Sequence, residues 1–80
     1  MIPTDIEALR SRIAEVTGES LSSISDDEPL TDLGLDSVRA MALIAEWRAA
    51  GLVLDPTEFF ERATLAEWAE LLATAPRERS

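Results

Sequence analysis

A serine that follows an aspartate at the predicted start of a helix is the feature of this sequence best suited to chemistry. The segment reads TDLGLDSV over residues 31–38. Gly34 permits a tight turn that delivers Asp36 and Ser37 to the first positions of an amphipathic helix. Backbone amides there lack partners within the helix, and the positive end of the helix dipole favours a phosphate-bearing group. Ser37 is therefore either a site for such a group or, with Asp36, a helix cap.

Composition excludes several kinds of catalytic chemistry. The 80 residues include no cysteine and no histidine. This excludes disulfides, thiolate metal sites and cysteine nucleophiles, and it removes the commonest general base. Asp36 by itself is a weak, ionised base, so Ser37 is not expected to be an activated nucleophile. The sequence predicts no catalytic residue.

The acidic charge balance indicates which partners the chain can have. The formal net charge is −9, from 16 acidic and 7 basic residues. Nucleic acid is not expected as a partner, because the chain has no basic patch. The acidic balance either complements a basic protein surface, which is the more natural partner, or serves only solubility. No apolar run approaches membrane-spanning length, and the N-terminus has no signal-peptide core. We therefore expect a cytoplasmic protein with no membrane partner.

The acidic residues of the central segment could suggest a calcium loop. Asp26, Asp27, Glu28 and Asp32 lie close together in the sequence. A calcium loop needs oxygen ligands at alternate positions and a central glycine, and Leu30 occupies one of those positions. Solvated loop acids are the better interpretation, and no metal site is predicted.

Apolar periodicity predicts one all-helical domain over residues 1–80. Apolar side chains recur at three- and four-residue steps, as on one face of a helix, and a helical domain is what a chain this short can support. The predicted elements are helices at about 4–17, 37–50, 56–61 and 64–74, followed by a frayed tail at 75–80.

Capping residues predict where helices begin, and a long loop separates the first two. Thr4 with Glu7 and Thr64 with Glu67 both have the spacing of a capping box. The connection over residues 19–36 is long for so small a domain, so its own apolar side chains should pack it down. These side chains are Leu21, Ile24, Leu30 and Leu33.

The second predicted helix carries two rows of apolar residues. The core spacing is followed by Ala40, Leu43, Ile44 and Trp47. A second row, offset by about one position, consists of Val38, Met41 and Ala45. The second row is either buried as well or forms a semi-exposed patch beside Ser37, suited to transient docking of a partner.

The helix layout, together with LGLDSV at residues 33–38, resembles the acyl, peptidyl and aryl carrier protein family. The resemblance runs from Thr4 to Ala73 and implies an all-α four-helix bundle of the acyl-carrier type, with a short third helix. It also implies that a phosphopantetheinyl transferase attaches 4'-phosphopantetheine, from coenzyme A, to Ser37. The terminal thiol would then carry an acyl group as a thioester. Asp36 would cap the helix, present a carboxylate to the transferase, or do both.

The second helix also indicates a subclass within that family. Carriers of fatty-acid and type II polyketide synthesis typically bear several acids there, whereas Glu46 is the only acid between Ser37 and Ala50. The run GLDSVRAMAL, followed by Trp47 and Arg48, is most similar to aryl carrier domains of siderophore pathways. Those domains accept salicylate or dihydroxybenzoate from an adenylating enzyme and offer it to a condensation or other acyl-accepting domain. The resemblance implies the same role in nonribosomal peptide synthesis here.

The resemblance further implies a set of docking residues around Ser37. They are Val38, Arg39, Met41, Ala42, Ala45, Phe59 and Phe60. One of the two phenylalanines should be core and the other partly exposed, and the sequence leaves open which. Val38 stands where leucine is usual in the family, but both are apolar, so docking should survive.

Within nonribosomal peptide synthesis, the expected cargo is an aryl or an aminoacyl group. Two alternatives to such a carrier stay open. One is an acyl carrier protein of polyketide or fatty-acid synthesis. The other is a small acidic helical adaptor without a prosthetic group, which would bind a partner helix on the Val38, Met41 and Phe59 surface. In each case we expect a monomer, either as a stand-alone protein or as a domain excised from a longer one.

Overall fold

Four α-helices and two short 3₁₀ helices make up the regular structure of residues 2–78, which the computed structural model describes. The α-helices are α1 (Ile6–Thr17), α2 (Ser37–Ala49), α3 (Pro56–Phe60) and α4 (Leu65–Thr74). The 3₁₀ helices, Leu21–Ser23 and Leu30–Leu33, lie in the long connection between α1 and α2. The expected all-α, four-helix fold is confirmed. Among residues 2–78, no helix is long and apolar enough to cross a membrane.

The helix caps agree with the sequence at α4 and differ from it at α1. Thr64 and Glu67 form the expected capping box, with both reciprocal hydrogen bonds present. The capping box predicted for Thr4 is wrong, because the Asp5 carboxylate accepts the hydrogen bond of the Ala8 amide at 2.8 Å. An aspartate directly before the first helical residue is itself a strong N-cap.

The core row of α2 is buried, as its spacing predicts. Its members are Ala40, Leu43, Ile44 and Trp47. The second row is exposed: its members, Val38, Met41 and Ala45, all lie on the protein surface. Of the two alternatives for that row, the structure therefore has the exposed one. The three rings at the centre of the core belong to Trp47, Phe59 and Trp68, with centroids 4.9 to 6.2 Å apart.

The long connection before α2 is held down by buried leucines and an isoleucine. The buried side chains are Ile24, Leu30, Leu33 and Leu35. The prediction that Leu21 also packs inward is wrong: the side chain is exposed, because the first 3₁₀ helix places none of its residues in the core. Leu35 was not among the predicted loop contacts.

The chain after α4 is paired with the connection between α2 and α3. The Val53 amide donates to the Pro76 carbonyl at 3.0 Å, and the Glu78 amide donates to the Gly51 carbonyl at 2.6 Å. The prediction of a frayed tail is therefore wrong for residues 76–78, because their backbone finds partners far away in the sequence. Arg79 and Ser80 lie outside the described residues.

Candidate attachment site

The turn that leads into α2 determines where Ser37 lies. Gly34 has a φ of +89°, a left-handed conformation that glycine adopts without the steric cost of a Cβ. Leu35 is buried directly after it and fixes the chain to the core. The next two residues, Asp36 and Ser37, consequently emerge at the surface where α2 begins.

Asp36 is the N-cap of α2. Its Oδ1 accepts a hydrogen bond from the Arg39 amide at 2.8 Å, and its backbone is extended. The expected capping role is confirmed. Because the residue is exposed, its carboxylate can also be reached by a partner protein.

Ser37 is the first helical residue of α2 and its side chain is exposed. Within residues 2–78, neither its hydroxyl nor the amides of Ser37 and Val38 form a hydrogen bond. The amides lie at the positive end of a helix of 13 residues, where a phosphate is favoured. Arg39, which makes no ion pair with the described residues, adds one cation to the first turn of α2. These residues fit a phosphodiester attached to the Ser37 hydroxyl.

A groove of about 210 Å³ opens beside Ser37. It lies between the start of α2 and the segment that joins α3 to α4. Its lining is largely apolar and includes Leu35, Ala40, Phe60 and Trp68. A larger open depression, about 730 Å³, lies around Arg48 at the opposite end of α2 and does not include Ser37. The groove is therefore the concave surface that belongs to the site.

The two phenylalanines of α3 have opposite environments. Phe60 is 49% exposed and lines the groove, whereas Phe59 is fully buried. Phe59 packs against Trp47 at 5.8 Å and Trp68 at 4.9 Å between ring centroids. The assignment of Phe59 as a docking residue is wrong, because a partner at the surface cannot reach it. In the alternative of a helical adaptor, a bound partner helix would have to contact Phe60 instead of the buried Phe59.

The remaining docking candidates form an exposed surface on α2. Val38, at 77% exposure, and Met41, at 44%, lie on it beside Ser37. Arg39, Ala42 and Ala45 are exposed as well. The structure places these residues together, and their contact with partners stays a prediction.

Two residues of the groove, Trp68 and Arg62, were not predicted as site residues from the sequence. The spacing of Trp68 on α4 indicates a core position, and it is buried, yet its ring also lines the groove beside Ser37. Arg62 lines the same groove from the segment after α3. Neither contact is visible in helical periodicity, because both depend on how α4 and α3 pack against the start of α2.

A known protein family matches most of this chain. A family described as the phosphopantetheine attachment site matches residues 7–72. The chain belongs to this family. Its prosthetic group is a covalently attached 4'-phosphopantetheine, so the expected cofactor and the resemblance to carrier proteins are confirmed.

Relatives of this phosphopantetheine attachment domain are much longer proteins. The chain is 46% identical over 68 residues to an isochorismatase of Bacillus subtilis. It is 39% identical over 72 residues to the pyochelin synthetase PchE of Pseudomonas aeruginosa, and 34% over 76 residues to the phenyloxazoline synthase MbtB of Mycolicibacterium paratuberculosis. These matches cover 85%, 86% and 95% of this chain but only 22%, 5% and 6% of the respective relatives. No solved structure matches the chain.

Proposed function

We propose that Ser37 is the attachment point of 4'-phosphopantetheine and that residues 1–80 form one non-catalytic carrier domain. The observation that carries the proposal is the exposed Ser37 hydroxyl at the start of α2, within the segment that the family matches. The arm supplies a terminal thiol on which a carboxylic acid is held as a thioester. The residues of the chain present the hydroxyl, hold the helix start and offer a surface to partner enzymes.

The proton of the Ser37 hydroxyl has to be removed by the transferase during attachment. The chain contains no histidine, and the adjacent Asp36 carboxylate accepts the cap hydrogen bond from Arg39. The serine oxygen forms a bond to the phosphorus that bears the pantetheine arm, while the pyrophosphate P–O bond of coenzyme A breaks and adenosine bisphosphate leaves. The carrier chain itself supplies only the position of the hydroxyl. This division of roles fits a carrier that is modified by a separate phosphopantetheinyl transferase.

An aryl cargo is supported by the surface of α2. The only carboxylate of that helix, Glu46, pairs with Arg12 of α1 at 2.8 Å, and this hydrogen-bonded ion pair lowers the pKa of Glu46. The helix therefore offers partners an apolar surface at Val38 and Met41 rather than a row of acids. A fatty-acid or polyketide carrier, the alternative within the family, would be expected to show that row of acids.

The names of the relatives support the same cargo class. They include a phenyloxazoline synthase, a pyochelin synthetase and an isochorismatase. We infer that an adenylating enzyme loads the arm with an aryl acid, and that a condensation or other acyl-accepting domain removes it, in nonribosomal synthesis of a siderophore. The carrier would work in the cytoplasm, where coenzyme A is supplied, and as a monomer.

Attachment is tested by intact-mass measurement after incubation with coenzyme A, magnesium and a broad-specificity phosphopantetheinyl transferase. The wild-type chain should gain the mass of one phosphopantetheine group, and Ser37→Ala should gain none. Ser11→Ala, which changes an exposed serine in the middle of α1, is the matched control and should be modified like wild type. Modification of Ser37→Ala would overturn the proposal and favour a different attachment point.

Cargo class is tested with the modified protein. It is presented to adenylating enzymes with salicylate, dihydroxybenzoate or amino acids, and thioester formation is measured. An aryl thioester is the expected product. Loading with amino acids alone would refute the aryl assignment while leaving the carrier role intact.

A further inference from the structure

The indole N–H of Trp68 holds the end of α3. Trp68 is buried in α4, and its Nε1 donates to the carbonyl of Phe59 at 3.0 Å and to that of Arg62 at 3.1 Å. Carbonyls at the end of a helix have no partner within the helix itself. A helix of only five residues, such as α3, is not stable without tertiary contacts. The Phe59 carbonyl also accepts a hydrogen bond from the Arg62 amide at 3.2 Å, so the indole adds a second donor there. The same indole gives the Arg62 carbonyl a donor from α4.

The segment held by Trp68 is the wall of the groove beside Ser37. Residues 60–63 line that groove, and the Trp68 ring lines it as well. On the other side, the Ala63 carbonyl accepts a hydrogen bond from the Leu30 amide at 2.8 Å, at the start of the 3₁₀ helix that leads to Ser37. The wall is therefore tied to α4 by the Trp68 indole and by the Ala63 amide, which donates to Glu67 Oε1 at 3.3 Å. The Leu30 amide ties it to the approach to Ser37.

The second tryptophan of the chain provides an internal comparison. Trp47 is buried in the same aromatic cluster, with its ring centroid 6.2 Å from that of Trp68. Its Nε1, in contrast, has no hydrogen-bond partner within the described residues. Replacing either indole with a smaller ring removes a similar volume from the core, but only the Trp68 replacement removes hydrogen bonds.

We propose that Trp68 is a positioning residue, whose indole N–H fixes residues 60–63 relative to Ser37. The bulk of the ring contributes to the core, while the N–H sets the surface that a transferase meets next to the attachment serine. The part of this inference that concerns partners rests on the proposed function, and the part that concerns the wall does not.

The first test measures amide hydrogen exchange by NMR in Trp68→Phe and in the control Trp47→Phe. The Glu61 and Arg62 amides donate to the carbonyls of Thr57 and Phe59 at 3.1 and 3.2 Å. Loss of the indole donor should speed their exchange, relative to amides of α1, by about tenfold, as expected for one lost hydrogen bond. Trp47→Phe should show no such selective change. A uniform change in both variants, or none at these two amides, would overturn the proposal.

The second test measures the steady-state kinetics of attachment with coenzyme A and a phosphopantetheinyl transferase. Trp68→Phe should raise the KM for the carrier several-fold without changing kcat, because the docking surface is altered and the serine is not. Trp47→Phe should leave both constants near wild type. Equal KM values in the two variants would contradict the positioning role.

Two cases still allow a decision about Trp68: a Trp68→Phe variant that does not fold, and a wild-type chain that is not modified. If Trp68→Phe does not fold, benzothienylalanine at position 68 retains the ring size and lacks only the N–H donor, and the same exchange and KM changes are expected. If the wild-type chain is not modified at Ser37, the proposed function fails, whereas the exchange result still decides whether Trp68 fixes the wall.

Discussion

At the scale of single residues, Asp36 and Ser37 have separate tasks although they are neighbours. The Asp36 side chain accepts the hydrogen bond that begins α2, and this leaves the Ser37 hydroxyl exposed and without a partner in the described structure. The pair could be predicted from the sequence because a glycine turn followed by a capping residue is a local signal. Which of Phe59 and Phe60 is exposed could not be predicted, because α3 is too short for a periodic pattern.

Two substitutions of Asp36 distinguish the effect of its capping hydrogen bond from the effect of its negative charge. Asp36→Ala removes the acceptor of the Arg39 amide and should lower the free energy of unfolding by about 1 kcal/mol, whereas Asp36→Asn keeps an acceptor and should cost only a few tenths. Urea denaturation measures both. We further expect Asp36→Asn to be modified more slowly by the transferase despite its stability, because its exposed negative charge is gone. Equal destabilisation by the two variants would contradict the capping role.

At the scale of elements, the start of α4 makes part of the stability depend on pH. Hydrogen bonds from the Thr64 hydroxyl and then from the Ala63 amide lower the pKa of Glu67 below its usual 4.5. The ionised carboxylate therefore stabilises the folded state above about pH 4.5. That contribution is lost as the pH falls below 4.5 and through the lower pKa that Glu67 has in the folded state.

Glu67→Gln should accordingly reduce the loss of thermal stability between pH 5 and pH 3. The variant removes the carboxylate that is protonated in this range, whereas Glu70→Gln, on the same helix but outside the capping box, is the matched control. Tm measured across the pH range gives the comparison. If Tm has the same pH dependence in Glu67→Gln and Glu70→Gln, the ionised carboxylate of the capping box does not stabilise the fold.

Other elements depend on contacts that local sequence patterns cannot predict. The second 3₁₀ helix and the pairing of residues 76–78 with 51–53 depend on contacts between distant segments, such as the Leu30 amide with the Ala63 carbonyl. Neither has a capping residue or a periodic row that would predict it. At α1, two adjacent residues could each cap the helix, and only the backbone geometry decided in favour of Asp5.

At the scale of the whole molecule, three helices meet in one aromatic cluster within the core. Trp47, Phe59 and Trp68 come from three different helices and meet at the centre of the core. The overall fold could be predicted because length, helix order and the motif at Ser37 all agree with one family. The contacts of Trp68 with the groove could not, because they require the packed arrangement of α2, α3 and α4.

Trp47→Ala tests how far the fold depends on that cluster. Removal of a buried aromatic side chain should cost about 3–5 kcal/mol, in a domain whose total stability is roughly 4–12 kcal/mol. Met41→Ala, on the exposed row of the same helix, should change stability by less than about 0.5 kcal/mol. Denaturant unfolding measures both variants. A Trp47→Ala protein of near wild-type stability would contradict the assigned core.

Whether Ser37 carries the arm and its cargo is decided by locating both on the chain. The protein is modified with coenzyme A, loaded with an aryl acid by an adenylating enzyme, digested with trypsin and analysed by tandem mass spectrometry. We predict that the peptide of residues 13–39 carries one acylated phosphopantetheine group, bonded to Ser37. An arm on any other residue, or a Ser37 that stays unmodified, would contradict it.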